Sequence, residues 1–303
     1  MPQAVLHTSY GPCFVAEIGT DNVQICFCVP EFKGFPALER RKGRMDEAKH
    51  RLTAAVLVIG DEILSGRTQD VNIAAIARFL APFGIDLCEA RCVPDIEDEI
   101  VAALNALRAR YTYVFTTGGI GPTHDDITAD AIGAAFGLPV EHHPEAMAML
   151  ASRYAPGEFN ERRQRMARVP KGASLVKNPV SVAPGFQIEN VFVLAGVPKI
   201  MQAMLEDIAP RLARATPVKS LNITIRMPEG RIAAELAAIQ DRHPGVSIGS
   251  YPFFTASGSV AEMRASVGTT LVVRGRDPVA VEAAGADIEA MVRSQGAVPE
   301  RTA

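Results

Sequence analysis

At 303 residues, 48% hydrophobic and 21% charged, the chain has enough apolar material for one large domain or two modest ones with their own cores. Its 31 basic and 34 acidic side chains leave a formal charge of −3, so no bulk polyanion-binding surface is expected and nucleic acid is not a predicted partner. The longest apolar stretch, Val191 to Val197, is too short to cross a bilayer. Five cysteines without a regular framework point to a reducing, cytoplasmic compartment and away from a membrane or disulfide scaffold.

Residues 1–44 read differently from the rest. Short apolar pieces run to Val29, and Pro30 to Arg44 then carries Gly34, Pro36, Arg40, Arg41, Lys42 and Arg44. Met45, followed by Asp46-Glu47-Ala48-Lys49, resembles a translation start, so 1–44 is expected to be a non-native extension or a disordered tail. A basic n-region, apolar core and small-residue cleavage site do not follow one another here. Cys13, Cys26 and Cys28 lack the fourth ligand and the spacing of a zinc site.

From Ala54 the pattern becomes regular. Ala54 to Ile59 is a continuous apolar run ending at Gly60-Asp61, the signature of a strand buried on both faces of a parallel sheet. Asp70 is placed to cap a helix with Ile73, Ile76, Ala77, Leu80 and Phe83 inward, which Gly84 ends. Ile85 to Val93 predicts a second strand. Pro94-Asp95 then opens a helix striped by Ile100, Leu104, Leu107 and Tyr111.

Tyr113 to Thr117 predicts a third strand running straight into Gly118-Gly119-Ile120-Gly121-Pro122-Thr123, with a helix from Thr128 to Phe136 beyond it. This alternation predicts an α/β fold with a doubly wound, mostly parallel sheet. Further helices are expected over 144–154 and the basic stretch Arg162 to Arg168, and further strands near 174–176 and 191–194. A last helix starts at Pro198, and this domain, 45–217, ends near Thr216-Pro217. A β-α-β-β-α order over 218–303 predicts a small α+β domain.

Two features point to chemistry. Gly118, Gly119 and Gly121 let the chain turn tightly after a strand, and the following helix offers N–H groups and a positive dipole end to an anion. Asp61 and Glu62, Asp95, and Asp125 and Asp126 follow three successive strand ends, the edge where open α/β sheets bind ligands. Such carboxylates can hold a cation that bridges phosphate oxygens. For Arg162, Arg163, Arg165 and Arg168 a solvated helix face is the default expectation, although they could reach a diphosphate. His142 and His143 are read as surface residues, and Cys88 and Cys92 as packing on one strand face.

These segments together resemble the molybdopterin-binding family, the fold shared by MogA, MoaB, part of MoeA and the N-terminal domains of CinA and eukaryotic FAD synthase. The resemblance is carried by Gly60-Asp61-Glu62-Ile63-Leu64 with Gly66, by Asp70 and Asn72, by Pro94-Asp95, and by Thr117 to Thr128. Asn178, Ala183-Pro184-Gly185-Phe186 and Gly196-Val197-Pro198 match the CinA and FAD-synthase branch. Lys219 to Gln295, with Gly249-Ser250-Tyr251-Pro252, resembles the small domain that follows in that branch. The chain departs from the usual CinA pattern at Ala195, where proline is common, and at Ile200-Met201, where an acid is usual.

The resemblance implies a three-layer fold, a homo-oligomer (dimer or trimer), and a nucleotide or pterin as the small-molecule partner. It implies ligand or phosphate contacts from Gly60, Gly118, Gly119, Gly121, Pro122, Thr123, Thr128, Pro184 and Gly185. A divalent cation (magnesium, manganese or cobalt) would be held by Asp61, Asp125 and Asp126, with Asp95 and Asp126 catalytic. The expected activity is metal-dependent hydrolysis of nucleoside-diphosphate-linked compounds such as ADP-ribose or FAD. The alternatives are molybdopterin adenylylation and non-catalytic binding of molybdopterin or a nucleotide. Without the amidohydrolase-like domain of full-length CinA and the adenylyl-transferring domain of FAD synthase, deamidation and FAD synthesis are not expected.

Overall fold

The computed structural model describes residues 51–155, 157–255 and 267–302, together with the backbone of three strands within 7–28. Those strands, β1 (His7–Thr8), β2 (Gly11–Ile18) and β3 (Val23–Cys28), form an antiparallel sheet of their own. The rest of 1–44, its expected non-native or disordered character, and the side chains of Cys13, Cys26 and Cys28 lie outside the described residues.

The second unit, Leu52–Ala303, is built on a six-stranded sheet. Its strands are β4 (Thr53–Ile59), β5 (Asp86–Val93), β6 (Tyr113–Thr117), β9 (Ser174–Val176), β10 (Gly185–Ile188) and β11 (Val191–Leu194), in the order β5-β4-β6-β11-β10-β9. A separate two-stranded antiparallel sheet pairs β7 (Val140–His142) with β8 (Arg168–Pro170). Pairing is parallel from β5 through β4 and β6 to β11, and β10 runs antiparallel to both its neighbours. As the apolar run predicts, Ala54 to Ile59 is buried throughout.

Helices cover both faces, giving the expected three-layer α/β arrangement. They are α1 (Asp61–Leu64), α2 (Asn72–Leu80), α3 (Glu97–Arg108), α4 (Thr128–Phe136), α5 (Pro144–Ala151), α6 (Glu161–Gln164) and α7 (Pro198–Ile208). On one face Ala55, Leu57 and Ile59 pack with Ile100, Leu104, Leu107 and Ile132 of α3 and α4. On the other, Val56, Val58 and Phe115 pack with Ile76, Leu80, Met201, Met204 and Leu205 of α2 and α7. Phe115 stacks on Phe192 at 5.2 Å between ring centres. Strand alternation divides each strand between two cores, which is why these strands read as unbroken apolar runs.

Three expectations are corrected. Gly185 to Ile188 forms β10, hidden in the sequence by its four-residue length and the Pro184 before it. The Arg162–Arg168 stretch is not one helix. It is the single turn α6, a 3₁₀ turn over Arg165–Ala167, and then the strand β8. The helix expected over 144–154 ends at Ala151.

The small domain has β12 (Lys219–Ile225), α8 (Ala233–Arg242), β13 (Ser247–Phe254), β14 (Val267–Gly275), α9 (Pro278–Ser294) and β15 (Glu300–Thr302), in the sheet order β13-β14-β12-β15. This is the expected β-α-β-β-α layout plus one edge strand. Arg276 joins it to the large domain. Its guanidinium donates to Thr216 O, to Gly84 O at 3.2 Å and to Asp86 Oδ2 at 2.7 Å. Gly84 takes φ +70°, and a Cβ there would lie 2.3 Å from Ala215 O, so the connection is made backbone against backbone.

Because one planar guanidinium serves two carbonyls and a carboxylate, Arg276→Ala should lower unfolding stability by about 2 kcal/mol in urea titrations. Lysine, a point charge without the fork, should not restore it.

Candidate functional site

The site lies at the C-terminal ends of β4, β5 and β6. Gly118 leaves β6 at φ +104° and Gly119 follows at φ +65°. A Cβ on Gly118 would lie 2.1 Å from Ile59 O, and one on Gly119 would lie 2.2 Å from Thr128 Oγ1. Both positions require glycine twice over, for the left-handed backbone and for the close approach.

The far side of the turn is closed by Thr128. Its hydroxyl donates to Gly118 O at 3.0 Å and its N–H to Gly119 O at 3.1 Å. Thr128 is fully buried, so this predicted ligand contact shapes the loop from behind rather than meeting a ligand. Among the described residues the N–H groups of Gly119, Ile120 and Gly121 donate to no protein acceptor. The loop therefore holds three neighbouring unused donors where α4 begins.

Asp126 closes the loop from its front. Its Oδ2 accepts from Thr123 N at 2.8 Å and Thr123 Oγ1 at 2.5 Å, leaving Oδ1 unpaired. A Cβ on Gly121 would lie 2.7 Å from Asp126 Oδ2, so a side chain there would push that carboxylate off Thr123. The same Thr123 hydroxyl is the main influence holding Asp125 below the usual carboxylate range, helped by a backbone N–H and by His124.

Asp95 Oδ2 accepts from Asp61 N at 3.0 Å, tying the end of β5 to the end of β4. Burial pushes the Asp95 carboxyl up, partly offset by that hydrogen bond, and the charges of Asp61, Glu62 and Asp125 raise it further. These acids therefore converge on one electrostatic neighbourhood. They do not form a preformed cage: among the described residues no three His, Cys, Asp or Glu side chains are placed to hold a metal ion. They fit a hard cation that takes one or two carboxylates and completes its shell with ligand phosphates and water.

The remaining predicted residues divide. Pro122 and Thr123 line an open pocket of ≈ 600 Å³. Gly119, Gly121, Asp126 and Pro184 line a crevice of ≈ 20 Å³, about one water's room. Gly185 is buried in β10, where a Cβ would lie 2.2 Å from Val193 O, so its glycine is required by strand packing. Gly60 N donates to Val93 O at 3.2 Å, holding the turn after β4.

Sequence reasoning undervalued the arginines. Arg165 lines both crevice and pocket, Arg162 and Arg163 line the pocket, and Arg168 lines the crevice. Four basic residues in seven positions were the available signal. Only the break of α6 into a 3₁₀ turn and a strand turns them toward the glycine loop.

Residues 55–214 match the family described as "Probable molybdopterin binding domain", and residues 217–301 match the "FAD synthase, middle domain". A protein of Caldivirga maquilingensis is 41% identical over 53% of this chain and 65% of its own length. A CinA-like protein of Citrifermentans bemidjiense is 38% identical over 58% of this chain and 44% of that protein. The chain thus covers about two thirds of the first relative and under half of the second. Among solved structures, the protein CinA of Thermoplasma acidophilum, described as of unknown function, superposes with a TM-score of 0.51. It is 33% identical over 53% of this chain and 98% of that one.

Gly119→Ala should destabilise the fold by about 1–2 kcal/mol through its left-handed backbone alone, with the Thr128 contact adding to that loss in a thermal or urea titration. A pH series tests Asp95. Its raised value means that the folded protein holds this proton more tightly than the unfolded chain does. The resulting stabilisation is present at low pH and is lost as pH rises through the ordinary aspartate value of about 3.9 and then the raised one. The stability difference between wild type and Asp95→Asn should therefore move in the variant's favour across that window and level off above it.

Proposed function

The chain belongs to the molybdopterin-binding domain family, and on that premise we propose that it binds a phosphate-bearing nucleotide or pterin at the Gly118–Thr123 loop and hydrolyses a diphosphate linkage within it. The observation that carries this reading is the trio of unused N–H groups at Gly119, Ile120 and Gly121, set where a helix dipole favours an anion and beside converging carboxylates.

In this reading the loop N–H groups take the non-bridging oxygens of one phosphate. One or two of Asp61, Asp125 and the Oδ1 of Asp126 would hold a divalent cation (magnesium, manganese or cobalt), with ligand phosphates and water completing its shell. When bound, that cation neutralises the diphosphate and acidifies water. Asp95 orients the attacking water and takes its proton. The water oxygen bonds to phosphorus, the bridging P–O bond breaks, and the bridging oxygen leaves with the second phosphate. Compounds such as ADP-ribose and FAD would each release AMP.

A second reading, binding of molybdopterin or a nucleotide without hydrolysis, is favoured by one observation. Asp126, named for both metal binding and catalysis, is engaged through Oδ2 in holding Thr123. Adenylyl transfer to a pterin uses the same loop with another acceptor in place of water.

Incubating the full chain with ADP-ribose or FAD and each cation separates these readings. Cation-dependent AMP release, reduced at least about 100-fold in Asp61→Asn and Asp95→Asn, is the expected outcome. No release with any cation, while ADP-ribose still binds, would replace hydrolysis with the binding reading. Pterin-dependent consumption of ATP would indicate transfer.

A further inference from the structure

The pocket of ≈ 600 Å³ beside the glycine loop lies within the size range of small-molecule sites. One wall is the loop itself, Pro122 to His124, and the other is Asn160, Arg162, Arg163 and Arg165. Among the described residues no carboxylate lines it, although the chain as a whole carries a net negative charge.

The three guanidiniums differ in what already engages them. Arg163 is anchored: it donates to Glu158 O at 2.5 Å, lies 3.6 Å from Glu158 Oε2 and stacks 4.3 Å over the Tyr154 ring. Arg165 donates through Nη2 to Asp126 O at 3.3 Å, while its buried Nε has no partner among the described residues. Arg162 is exposed and, among the described residues, makes no ion pair or hydrogen bond. Asn160 Oδ1 accepts from Arg163 N at 3.1 Å, holding α6 in place and leaving its amide N–H groups unengaged.

We propose that this pocket is the subsite for the second phosphate of the ligand, with Arg162 and Arg165 as its recognition groups, so that the site selects diphosphate over monophosphate compounds. The inference rests on the glycine loop taking the first phosphate. Thr123 couples the two places, since it belongs to the pocket wall and is fixed by Asp126 at the front of the loop. Arg165 couples them again by lining both crevice and pocket. A guanidinium presents parallel N–H donors that match two phosphate oxygens. The free fork of Arg162 supplies the donors that Arg163, already anchored, does not, and Arg165 adds its charge from the wall that both places share.

ADP and AMP differ by the one phosphate at issue, so the ratio of their affinities is the readout. It is measured by calorimetry on the full chain with magnesium present. Wild type should bind ADP at least about tenfold more tightly than AMP, and Arg162→Gln should reduce that ratio by roughly tenfold, the size of one charge-assisted contact. Arg162→Glu should reduce it further. Arg162 is exposed on a single turn, and an unchanged melting temperature in both variants would show that folding is not the cause. A ratio within twofold of wild type in both variants overturns the subsite and leaves the glycine loop standing. Wild type binding neither nucleotide overturns the loop reading, and the subsite falls with it.

Discussion

The turn from β6 into α4 exists because nothing but hydrogen projects from Gly118 and Gly119. Gly118 sits against the carbonyl of Ile59 on the neighbouring strand, and Gly119 sits against the hydroxyl of Thr128 at the start of the helix. Thr128 then returns two hydrogen bonds to the carbonyls of those same glycines. With both carbonyls engaged inward, the next N–H groups are left without partners. The packing that makes the turn compact thus also makes it a donor site, and a methyl group at either glycine would disturb both properties together.

Charge is sorted around that turn rather than over the surface as a whole. A formal charge of −3 says little, yet the charges of Asp61, Glu62 and Asp125 act on Asp95 on one flank and three arginines line the pocket on another. Like charges held this close are costly unless a counter-charge arrives, and they add to the rise that burial already imposes on the Asp95 carboxyl. In the proposed reading, a ligand with two phosphates and a cation would answer both flanks at once, the cation meeting the acids and the second phosphate the arginines. A lone monophosphate would answer only part of the arrangement.

Much of this was legible in the sequence because the signals were local. Ala54 to Ile59 could only be a doubly buried strand, Asp70 does accept from Ile73 N at 2.9 Å to hold the helix start, and α4 runs from Thr128 to Phe136 as the spacing predicts. The glycine loop and the acids at three strand ends followed from the same reading. What escaped depended on tertiary context. Thr128 sounds like a phosphate contact until its burial places it behind the loop. Gly185 belongs to a motif, but its glycine is demanded by Val193 O across β10. The arginines looked like a solvated helix because nothing within seven residues announces that the helix stops after one turn.

The small domain is fastened away from this chemistry. Arg276 grips Gly84 O and Asp86, where β5 begins, whereas Asp95 lies just beyond the other end of the same strand. In a parallel sheet all the strand starts share one edge and all the ligand-facing ends share the other. A clamp at the start of β5 therefore fixes the small domain against the edge opposite the glycine loop. The strand between them carries its hydrogen bonds to β4 along its length. That strand keeps Asp95 in register with Asp61 through the 3.0 Å bond between them, so the acids stay aligned without help from the small domain. Among the described residues, neither the crevice nor the pocket takes a lining residue from beyond Phe186.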